Sequence, residues 1–546
     1  MSESIETSQS APPAHTTCDV AIVGYGPVGM ISAALLAQHG LNVVVVERFP
    51  QRYALSRAGH FDGETMRTFQ GLGIAESIEL IARPMLQWSF VTAKMEILAH
   101  IKLGEGGAGW KDSYLSYQPE IEEVFDARCR ELGVRVYMGL TAEKLEQSPD
   151  SATLTVYPSD DSAADRHIIQ ASYVIGADGA RSFVRTAVDV ERRNLGFKAL
   201  DELVIDFRHH DPDRDLPQLP EVYQVLDVER PLLAGRWSGS HVSRFEFAAR
   251  PGETRKFLED TETVWKLLSK WNITPADGTI DRHAVYSFES TLAQRWRVGR
   301  VLLAGDAAHT MPPFMGQGLC SGIRDAMNLA WKIAAVLGGE ADDTLLDTYE
   351  TERAPHAHAL IEMSMAVGEM VLLRDPEAGR ERDEMLRSGN LPRPPVFPRL
   401  GSGVVAKADA PDGAAADGRP SPQARVAFKG RVDRLDQFSP ARWKIVSRHA
   451  VPEAVFDDRQ RTLLSLLNVE LVHVSRGPGP DYYIDIDGEY DLWFRNNHRK
   501  AFLQRPDNYV FGAVRCIDEL PALLDDLADA LTVNGWRGVP LPALNS

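Results

Sequence analysis

The chain has 546 residues, of which 44% are hydrophobic and 25% are charged, and its formal net charge is −18. These fractions are those of an ordinary globular protein, and the length suits roughly two to four domains. The acidic excess argues against a dedicated nucleic-acid or anionic-membrane binder.

Cysteine usage and the N-terminus place the protein in a reducing compartment. The four cysteines, at positions 18, 129, 320 and 516, are far apart and form no CxxC pair, so neither a disulfide framework nor a zinc site is expected. Residues 1–17 are polar, without an apolar core, and predict a disordered tail rather than a signal peptide. No apolar run is long enough to span a bilayer. A cytoplasmic location is therefore predicted.

The N-terminal part has the pattern of a dinucleotide-binding βαβ unit. Apolar runs at Val20–Val23 and Leu41–Val46 predict buried strands, and Met30–His39 predicts the helix between them. Glu47 ends the second strand. The turn before the helix carries the GxGxxG motif, with Gly24, Gly26, Pro27 and Gly29. These glycines allow a pyrophosphate to approach the helix N-terminus, and an acid at the second strand end binds ribose hydroxyls.

A second acid follows a later strand. Tyr173–Ile175 predicts a buried strand that leads into Asp178 and Gly179. The structural alternative for such an acid is capping of the following turn.

A third acid follows a strand near position 300. Val301–Ala304 predicts a buried strand that ends in Gly305 and Asp306. A Pro/Gly loop follows, and then a helix that starts around Gly318–Cys320. Its first turn offers unpaired N–H groups and a positive partial charge to a ligand with developing negative charge.

Two further regions have sequence patterns that differ from that of the nucleotide-binding part. Residues 196–290 alternate strand-like pieces with Pro, Asp and Gly turns, which predicts an inserted, mostly antiparallel sheet. Residues 425–546 have the pattern of a small α/β domain. The predicted order is a disordered tail (1–17), the first part of the nucleotide domain (18–195, with a strand excursion near 88–103), the sheet domain (196–290), the second part of the nucleotide domain (291–370), a linker (371–424) and a C-terminal domain (425–546).

The three ordered motifs together resemble the group A flavoprotein aromatic monooxygenases, the para-hydroxybenzoate hydroxylase and phenol hydroxylase superfamily. Asp325–Lys332, with Leu345–Tyr349 and Glu352-Arg353, is similar to the branch that contains 3-(3-hydroxyphenyl)propionate hydroxylase. The resemblance implies an α/β fold. It would have a glutathione-reductase-like FAD-binding domain, an inserted substrate-binding sheet and a thioredoxin-like C-terminal domain, and because that last domain lacks CxxC, no redox role is expected for it.

The resemblance also implies the cofactors: bound FAD, NADPH or NADH as co-substrate, and O2. By this likeness Glu47 takes the adenosine ribose, Asp306 takes the ribitol, and the helix start faces the N1/O2 edge of the flavin. The residues implied to contact FAD are Gly24, Gly26, Pro27, Gly29, Glu47, Arg48, Arg57, Gln118, Asp178, Gly179, Gly305, Asp306, Gly318 and Leu319. No metal ligands are expected.

In the family the nicotinamide reduces FAD, O2 adds to give a C4a-hydroperoxide, and this species oxygenates a phenol ring. The resemblance places Pro312 beside the isoalloxazine and offers His60 and Asp62 as alternatives for the base. From the residues alone, His60 could equally be a packed loop histidine and Asp62 a helix cap. His309 is expected to be mainly structural.

The substrate stays open between a 3-(3-hydroxyphenyl)propionate-like compound and another substituted phenol. Arg208, Arg236 and Arg244 are candidates for binding a substrate carboxylate. The same FAD motifs would serve a tailoring or Baeyer–Villiger-type oxygenase or an enzyme that releases nitrite or halide from a phenol. The alternative from another class is an FAD-binding reductase. A homodimer is implied only by relatives with a similar C-terminal domain.

Overall fold

The computed structural model describes residues 13–52, 58–104, 106–197, 200–211, 222–237, 242–389, 397–406, 417–477 and 482–531, and the statements below concern these residues. Arg57, which the resemblance places against FAD, and the first twelve residues of the predicted tail lie outside them. Among the described helices, none combines the length and the apolar character that a membrane crossing needs.

The α-helices carry most of the packing around the central sheet. They are α1 (Pro27–Gln38), α2 (Gly63–Gly71), α3 (Ala75–Ile81), α4 (Gln118–Glu131), α5 (Phe183–Ala187), α6 (Arg255–Leu258), α7 (Thr261–Ser269), α8 (Gln317–Leu337), α9 (Asp347–Val371), α10 (Pro376–Arg387), α11 (Asp458–Leu466), α12 (Glu489–Asn496) and α13 (Leu520–Ala530).

The strands of the first two thirds of the chain alternate with these helices. They are β1 (His15–Val23), β2 (Val43–Glu47), β3 (His60–Asp62), β4 (Arg83–Pro84), β5 (Gln87–Val91), β6 (Ile97–Lys102), β7 (Ser113–Leu115), β8 (Arg135–Met138), β9 (Leu140–Gln147), β10 (Ala152–Pro158), β11 (His167–Gly176), β12 (Arg192–Asn194), β13 (Leu200–His209), β14 (Val222–Val225), β15 (Leu232–Arg236), β16 (Val242–Ala248), β17 (Gly278–Phe288), β18 (Thr291–Ala293), β19 (Arg297–Val298), β20 (Val301–Leu303) and β21 (His309–Thr310).

The strands of the last third are short and belong to one sheet. They are β22 (Arg425–Phe428), β23 (Arg431–Arg434), β24 (Lys444–Ser447), β25 (Glu470–Ser475), β26 (Tyr483–Asp485), β27 (Ala501–Gln504) and β28 (Val510–Val514).

The central sheet has the order β19-β20-β11-β1-β2-β8, and β10 and β9 extend it from β11. The neighbours from β20 to β8 are parallel. The C-terminal halves of its inner strands are apolar and buried, as a parallel sheet covered on both faces requires. Because parallel strands end at the same edge, the residues that follow β1, β2, β11 and β20 lie close together there.

A second, mostly antiparallel sheet has the order β17-β13-β16-β15-β14-β5-β6. The predicted strand excursion near 88–103 is β5 and β6, and these strands join this sheet through a parallel pairing of β5 with β14. The pairing partner of β5 lies more than a hundred residues along the chain, so local pattern alone could not assign it.

Two sequence boundaries differ from the structure. β1 begins at His15, inside the predicted tail, because its first residues pair with β11. The predicted linker contains α10, whose N-terminus is capped by the side chain of Asp375. The next strand that pairs with β2 in the central sheet is β8. It comes late in the chain because segments that include β3 to β7 intervene.

The C-terminal sheet has the order β23-β22-β26-β25-β24-β27-β28, with β24, β25 and β26 parallel and the other pairs antiparallel. Its hydrophobic core includes Trp331 of α8, which packs at 5.6 Å between ring centroids against Trp443. A thioredoxin-like identity for this domain stays a prediction.

A buried ion cluster joins the C-terminal domain to the central one. Glu352 of α9 accepts from Arg505 at 2.8 and 3.0 Å and from Lys332 at 2.8 Å, and Arg505 also donates to Asp507 at 2.6 Å. The four side chains are at most 1% exposed. Burial alone would raise the pKa of Glu352, but Arg505 and Lys332 outweigh it and hold the pKa well below its usual range.

Replacing Glu352 by Gln should lower the free energy of unfolding by about 3–5 kcal/mol, because two buried cations then lose their shared carboxylate. Urea unfolding of the FAD-loaded protein, followed by tryptophan fluorescence, measures this loss. Glu369→Gln is the matched control, since Glu369 is exposed on the same helix. Equal stability of the two variants would contradict the role assigned to the ion cluster.

Candidate functional site

A cavity of about 1600 Å³ lies where the central sheet, the second sheet and the C-terminal domain meet. Small-molecule pockets in proteins are commonly about 300–1,000 Å³, so this cavity has room for a cofactor together with a second molecule. Most of the predicted site residues line it. They are Gly24, Gly26, Pro27, Glu47, Arg48, His60, Asp62, Gln118, Asp178, Gly179, Asp306, Pro312, Gly318 and Leu319.

The glycine turn after β1 forms one end of the cavity. Gly24 has φ +105°, and a Cβ there would meet the carbonyl oxygen of Ala177 at 2.4 Å. A Cβ on Gly29 would meet the carbonyl oxygen of Gly24 at 2.1 Å. Gly26, by contrast, has no atom within 4 Å of such a Cβ, and it lines the cavity at the start of α1. The glycine turn therefore packs tightly against the protein at Gly24 and Gly29, and it leaves space towards the cavity at Gly26.

Glu47 is held at the cavity wall by backbone donors. Its Oε2 accepts from the N–H of Tyr25 at 2.8 Å and its Oε1 from the N–H of Phe49 at 3.0 Å. These bonds orient the carboxylate at the end of β2, with further lone pairs available for hydroxyl donors. Arg48 lies beside it on the same wall.

Asp178 carries an unsatisfied oxygen at the cavity wall. Its Oδ2 accepts from the N–H of Val184 at 3.0 Å, while the buried Oδ1 has no hydrogen-bond partner among the described residues. Burial is the main influence on this carboxyl and raises its pKa. A buried oxygen of this kind is what a ligand with hydroxyl or amide donors would satisfy.

The opposite edge of the cavity is formed by the segment after β20. Gly305 has φ +59°, and a Cβ there would meet Val28 of α1 at 3.0 Å, so the segment packs directly on the glycine turn. The N–H of Gly305 donates to Asp325 at 3.0 Å. Asp306 follows, exposed to the cavity. The acid of β20 and the acid of β2 thus face one cavity.

The N-terminus of α8 and the loop before it form the cavity floor. Gly316 is the N-cap, with φ +61°, and no side chain caps the helix. The first-turn N–H groups of this 21-residue helix are therefore presented at the cavity near Gly318. The carbonyl oxygen of Pro312 accepts from Ser364 Oγ at 2.8 Å, which holds the loop.

These features fit an extended dinucleotide such as FAD. The open side of Gly26 leaves space for a pyrophosphate, Glu47 and Asp306 offer acceptors to two separate polyols, and the unpaired Oδ1 of Asp178 lies between the strand ends. Gln118 also lines the cavity, and its side-chain oxygen accepts from the N–H of Ala58 at 2.8 Å.

His60 has both ring nitrogens occupied. Nδ1 lies 3.1 Å from the carbonyl oxygen of Gly316, and Nε2 lies 2.7 Å from Ser113 Oγ. Because a carbonyl oxygen can only accept, Nδ1 carries the hydrogen and Nε2 accepts from Ser113. Burial lowers the pKa of His60, so the ring is neutral. His60 could exchange a proton with a ligand only through the Ser113 hydroxyl.

Asp62 acts as a helix cap and an ion-pair partner. Its Oδ1 accepts from the N–H of Thr65 at 2.9 Å and caps α2, and its Oδ2 binds the buried guanidinium of Arg324. Burial would raise the pKa of Asp62, but Arg324 outweighs it and lowers the pKa to about 2. Such a carboxylate is a weak base at neutral pH. The geometry thus favours the capping interpretation over the catalytic one.

His309 does not line the cavity. Its Nε2 contacts the buried carboxylate of Asp325 at 2.7 Å, and its ring stacks on Trp296 with centroids 5.2 Å apart. It is a structural residue, as expected.

The second sheet supplies a further wall of the cavity. Its strands contribute Trp88, Val204, Val222, Leu233, Arg244, Glu246, Tyr286, Ser287 and Phe288, and Trp237 follows β15. Apart from Arg244, the sequence did not indicate these residues. The available signal was the alternation of charged and aromatic residues in Arg244–Phe247, which marks a strand with one polar and one apolar face.

None of the three arginines considered for a substrate carboxylate brings an unpaired guanidinium to the cavity. Arg244 is buried and donates to Asp206 at 2.7 and 3.1 Å. Arg208 pairs with Asp281 at 2.7 Å and, like Arg236, is not among the lining residues.

Comparison with known proteins agrees with this geometry. The FAD binding domain family matches residues 17–364, and the HcaD C-terminal domain family matches residues 418–530. A probable NADH-specific resorcinol 4-hydroxylase of Rhodococcus jostii is 35% identical over 522 residues, covering 94% of this chain and 95% of the relative. A 3-(3-hydroxy-phenyl)propionate/3-hydroxycinnamic acid hydroxylase of Shigella sonnei is 31% identical and covers 96% of both chains.

Solved structures share the fold at lower identity. The flavin-dependent monooxygenase PieE, in complex with FAD and substrate, gives a TM-score of 0.80 at 21% identity, covering 95% of this chain and 99% of that one. Aklavinone-11 hydroxylase with FAD and aklavinone gives 0.77 at 22% identity, covering 94% and 99%. The chain belongs to the FAD-dependent aromatic hydroxylases, a family of flavoprotein monooxygenases, which confirms the fold class, the cofactor and the family expected from the sequence.

Replacing Gly26 by Ala should lower the affinity for FAD at least about tenfold, a cost of roughly 1.4 kcal/mol, because the new methyl group occupies the open side of the turn. The stability of the apoprotein should not change, since that methyl group meets no protein atom within 4 Å. Flavin fluorescence titration and apoprotein melting measure the two effects.

Gly71→Ala is the control for this substitution. Gly71 also has space for a methyl group, but it lies at the end of α2 and away from the cavity. Normal FAD affinity of Gly26→Ala would contradict the placement of the pyrophosphate.

Replacing Asp62 by Asn should reduce stability by about 2 kcal/mol while leaving the pH profile of activity between about pH 5 and 9 unchanged. Asn still caps α2, but Arg324 loses one of its carboxylates. Because the pKa of Asp62 is lowered from 3.8 to about 2, its contribution is complete above pH 3.8 and is lost only as the pH falls towards 2. Urea unfolding and kcat/KM profiles check this, and loss of an acidic limb in the variant would instead make Asp62 the base.

Proposed function

We propose that this flavoprotein hydroxylates a small phenolic compound, with NADH or NADPH as reductant and O2 as oxygen donor. The observation that carries the proposal is the single cavity of about 1600 Å³, into which the FAD-binding strand ends and a wall of the second sheet both open. A ring bound against that wall would lie across the cavity from the floor of α8.

The names of two relatives support a phenol as substrate. Resorcinol and 3-(3-hydroxyphenyl)propionate are the compounds named for them, and both carry a hydroxyl group meta to a second substituent. A meta-substituted phenol is therefore the proposed substrate class. NADH is the proposed reductant of first choice, since the relative from Rhodococcus jostii is described as NADH-specific.

When bound, FAD supplies the electrons taken from the nicotinamide and the activated oxygen that enters the ring. The protein's own contributions are electrostatic and geometric. The first-turn N–H groups of α8 would stabilise negative charge at the pyrimidine edge of the reduced isoalloxazine. The loop at Pro312, held by Ser364, would position the ring system from below.

The substrate wall would exclude water and orient the phenol. Val204, Val222 and Leu233 offer an apolar surface to the ring, and Trp237 adds a large aromatic group. Water exclusion matters because the activated oxygen must reach the ring before it is lost as hydrogen peroxide. The base that helps to deprotonate the phenol is treated below.

Two further expectations also remain proposals. The homodimer rests on the resemblance alone, and sedimentation equilibrium would test it. The cytoplasmic location rests on cysteine usage, and cell fractionation would test it.

The purified protein should bind FAD and oxidise NADH slowly alone, and a meta-substituted phenol should accelerate NADH oxidation at least about tenfold, with hydroxylated product formed in step with NADH consumed. NADH absorbance, oxygen uptake and product analysis measure this with resorcinol, 3-(3-hydroxyphenyl)propionate and nitrocatechol. Catalase reports uncoupled turnover. NADH oxidation that is indifferent to every phenol would favour the reductase alternative, and release of nitrite would favour the nitrophenol alternative.

A further inference from the structure

The second sheet presents two chemically different faces. Leu203, Ile205, Phe245 and Phe247 point to one face and pack with α7 in a hydrophobic core. On the other face, cross-strand pairing brings charged residues together, because directly opposite residues of an antiparallel pair share a face. This polar sheet face consists of Glu202, Asp206, Arg244, Glu246, Arg282 and Tyr286.

The two arginines of the polar sheet face share one carboxylate. Asp206 accepts from Arg244 Nε at 2.7 Å and lies 3.0 Å from Arg282 Nη2. All three side chains are at most 3% exposed. A substrate carboxylate would therefore have to compete with a buried carboxylate that already binds both guanidinium groups.

Glu246 has a longer ion pair than Asp206 does, with its Oε1 3.7 Å from Arg244 Nη1, which is beyond hydrogen-bond distance. Glu202 forms no ion pair with a cation among the described residues. Burial is the main cause that raises the pKa of both carboxyls, and the charge of Glu246 raises the pKa of Glu202 further. Two neighbouring carboxyls that repel each other favour the state in which one of them is protonated.

Their position connects this proton to the substrate wall. Glu246 lines the main cavity. Glu202 and Glu246, with Gln224, also line a void of about 20 Å³ beside Pro313 and Phe314 of the α8 loop. That volume is enough for about one water molecule, and the three polar side chains would supply its hydrogen bonds. Glu246 therefore stands between the substrate space and a second carboxyl behind it.

We propose that Glu246, backed by Glu202, takes the hydroxyl proton of an uncharged phenol such as a dihydroxybenzene, and that this carboxyl pair disfavours phenols that carry a carboxylate. The proposal rests on the proposed function and deepens it to a substrate class and a base. It differs from the sequence expectation, which placed the base at His60 or Asp62.

The proton transfer is balanced within the pair. The phenol O–H bond breaks, the proton forms a new O–H bond on Glu246, and the electron pair stays on the phenolic oxygen, where it enriches the ring for attack by an electrophilic oxygen. A carboxyl with a raised pKa is a better match for a phenol than an ordinary one, because the gap between the two pKa values is smaller. A substrate carboxylate at the same wall would lie beside the carboxyl of Glu246, and like charges at short distance repel each other.

The ionisable groups that face Glu246 come from three strands. They are Glu202 and Asp206 on β13, Arg244 on its own strand β16, and Arg282 and Tyr286 on β17. Since the pKa of Glu246 is raised, the basic form becomes available as the pH rises through that raised value. The kcat/KM for a neutral phenol should therefore fall on the acidic side at a pH above the ordinary titration range of a glutamate.

The first experiment observes binding without turnover. A nitro-substituted resorcinol, whose phenolate absorbs visible light, is titrated into the FAD-loaded protein without NADH at a series of pH values. With Glu246→Gln, the apparent pKa of the bound probe should rise by about one unit, because an amide donates a weaker hydrogen bond to the phenolate than the protonated carboxyl of Glu246 does. Glu246→Asp, which keeps a carboxyl, should restore part of the ionisation.

The matched control is Glu262→Gln, an exposed residue on α7, behind the apolar face of the same sheet. It should leave the probe spectrum and the FAD content unchanged. A bound probe that is ionised to the same extent in Glu246→Gln and in the native protein would overturn the role of Glu246 as proton acceptor.

The second experiment compares substrates. The native protein should prefer resorcinol to 3-(3-hydroxyphenyl)propionate in kcat/KM, and Glu246→Gln should reduce that preference about tenfold, because removal of one negative charge relieves the carboxylated substrate. A native preference for the carboxylated phenol would overturn the substrate class. The probe titration needs no turnover and therefore tests Glu246 separately from the hydroxylase reaction. If the protein ionises the probe but oxidises NADH at a rate independent of phenols, the hydroxylase proposal is refuted and the role of the carboxyl pair is still supported.

Discussion

The geometry of the cofactor end depends on the buried carboxylate of Asp325. It accepts from the N–H of Gly305, from His309 Nε2 and from Arg353 Nε, at 3.0, 2.7 and 2.9 Å. Burial would raise the pKa of Asp325, but His309 and Arg353 outweigh it and lower the pKa. One side chain of α8 thereby fixes the segment after β20, on which Asp306 faces the cavity, relative to the N-terminus of its own helix and to α9.

A second constraint fixes the wall that the second sheet contributes to the cavity. The sheet that carries Arg244 and Glu246 can present charge to the cavity only because its other face is a complete hydrophobic core with α7. Asp206 pairs with both arginines, and the carboxyl of Glu246 lines the cavity beside them. The cluster around Glu352 joins α8 and α9 to the C-terminal domain, which contributes Trp493 and the segment 420–422 to the cavity wall.

The cofactor end was largely predictable because its parts are local. The strand, glycine turn, helix and acid of β1 to β2 lie within about thirty residues, and each has a sequence signature with a physical cause. The Gly305-Asp306 motif and the start of α8 are equally local. The base was harder to predict. His60 and Asp62 occur in the expected segment, but whether they are available depends on Gly316, Ser113 and Arg324, which are up to 262 residues away.

The sequence by itself therefore determined the strand ends that would hold a dinucleotide, since these follow from short-range periodicity and from glycines at fixed spacing. Its motifs also resemble those of a known family, and that resemblance implied the fold class and FAD. Only the tertiary structure decided which carboxylates are neutralised. Asp62 and Asp206 pair closely with guanidinium groups from other segments, whereas Glu202 and Glu246 share one face of the sheet and Glu246 has only the 3.7 Å contact with Arg244. The physical reason is that the charge state of an acid depends on its neighbours in space. In the second sheet, strand pairing determines which side chains those neighbours are.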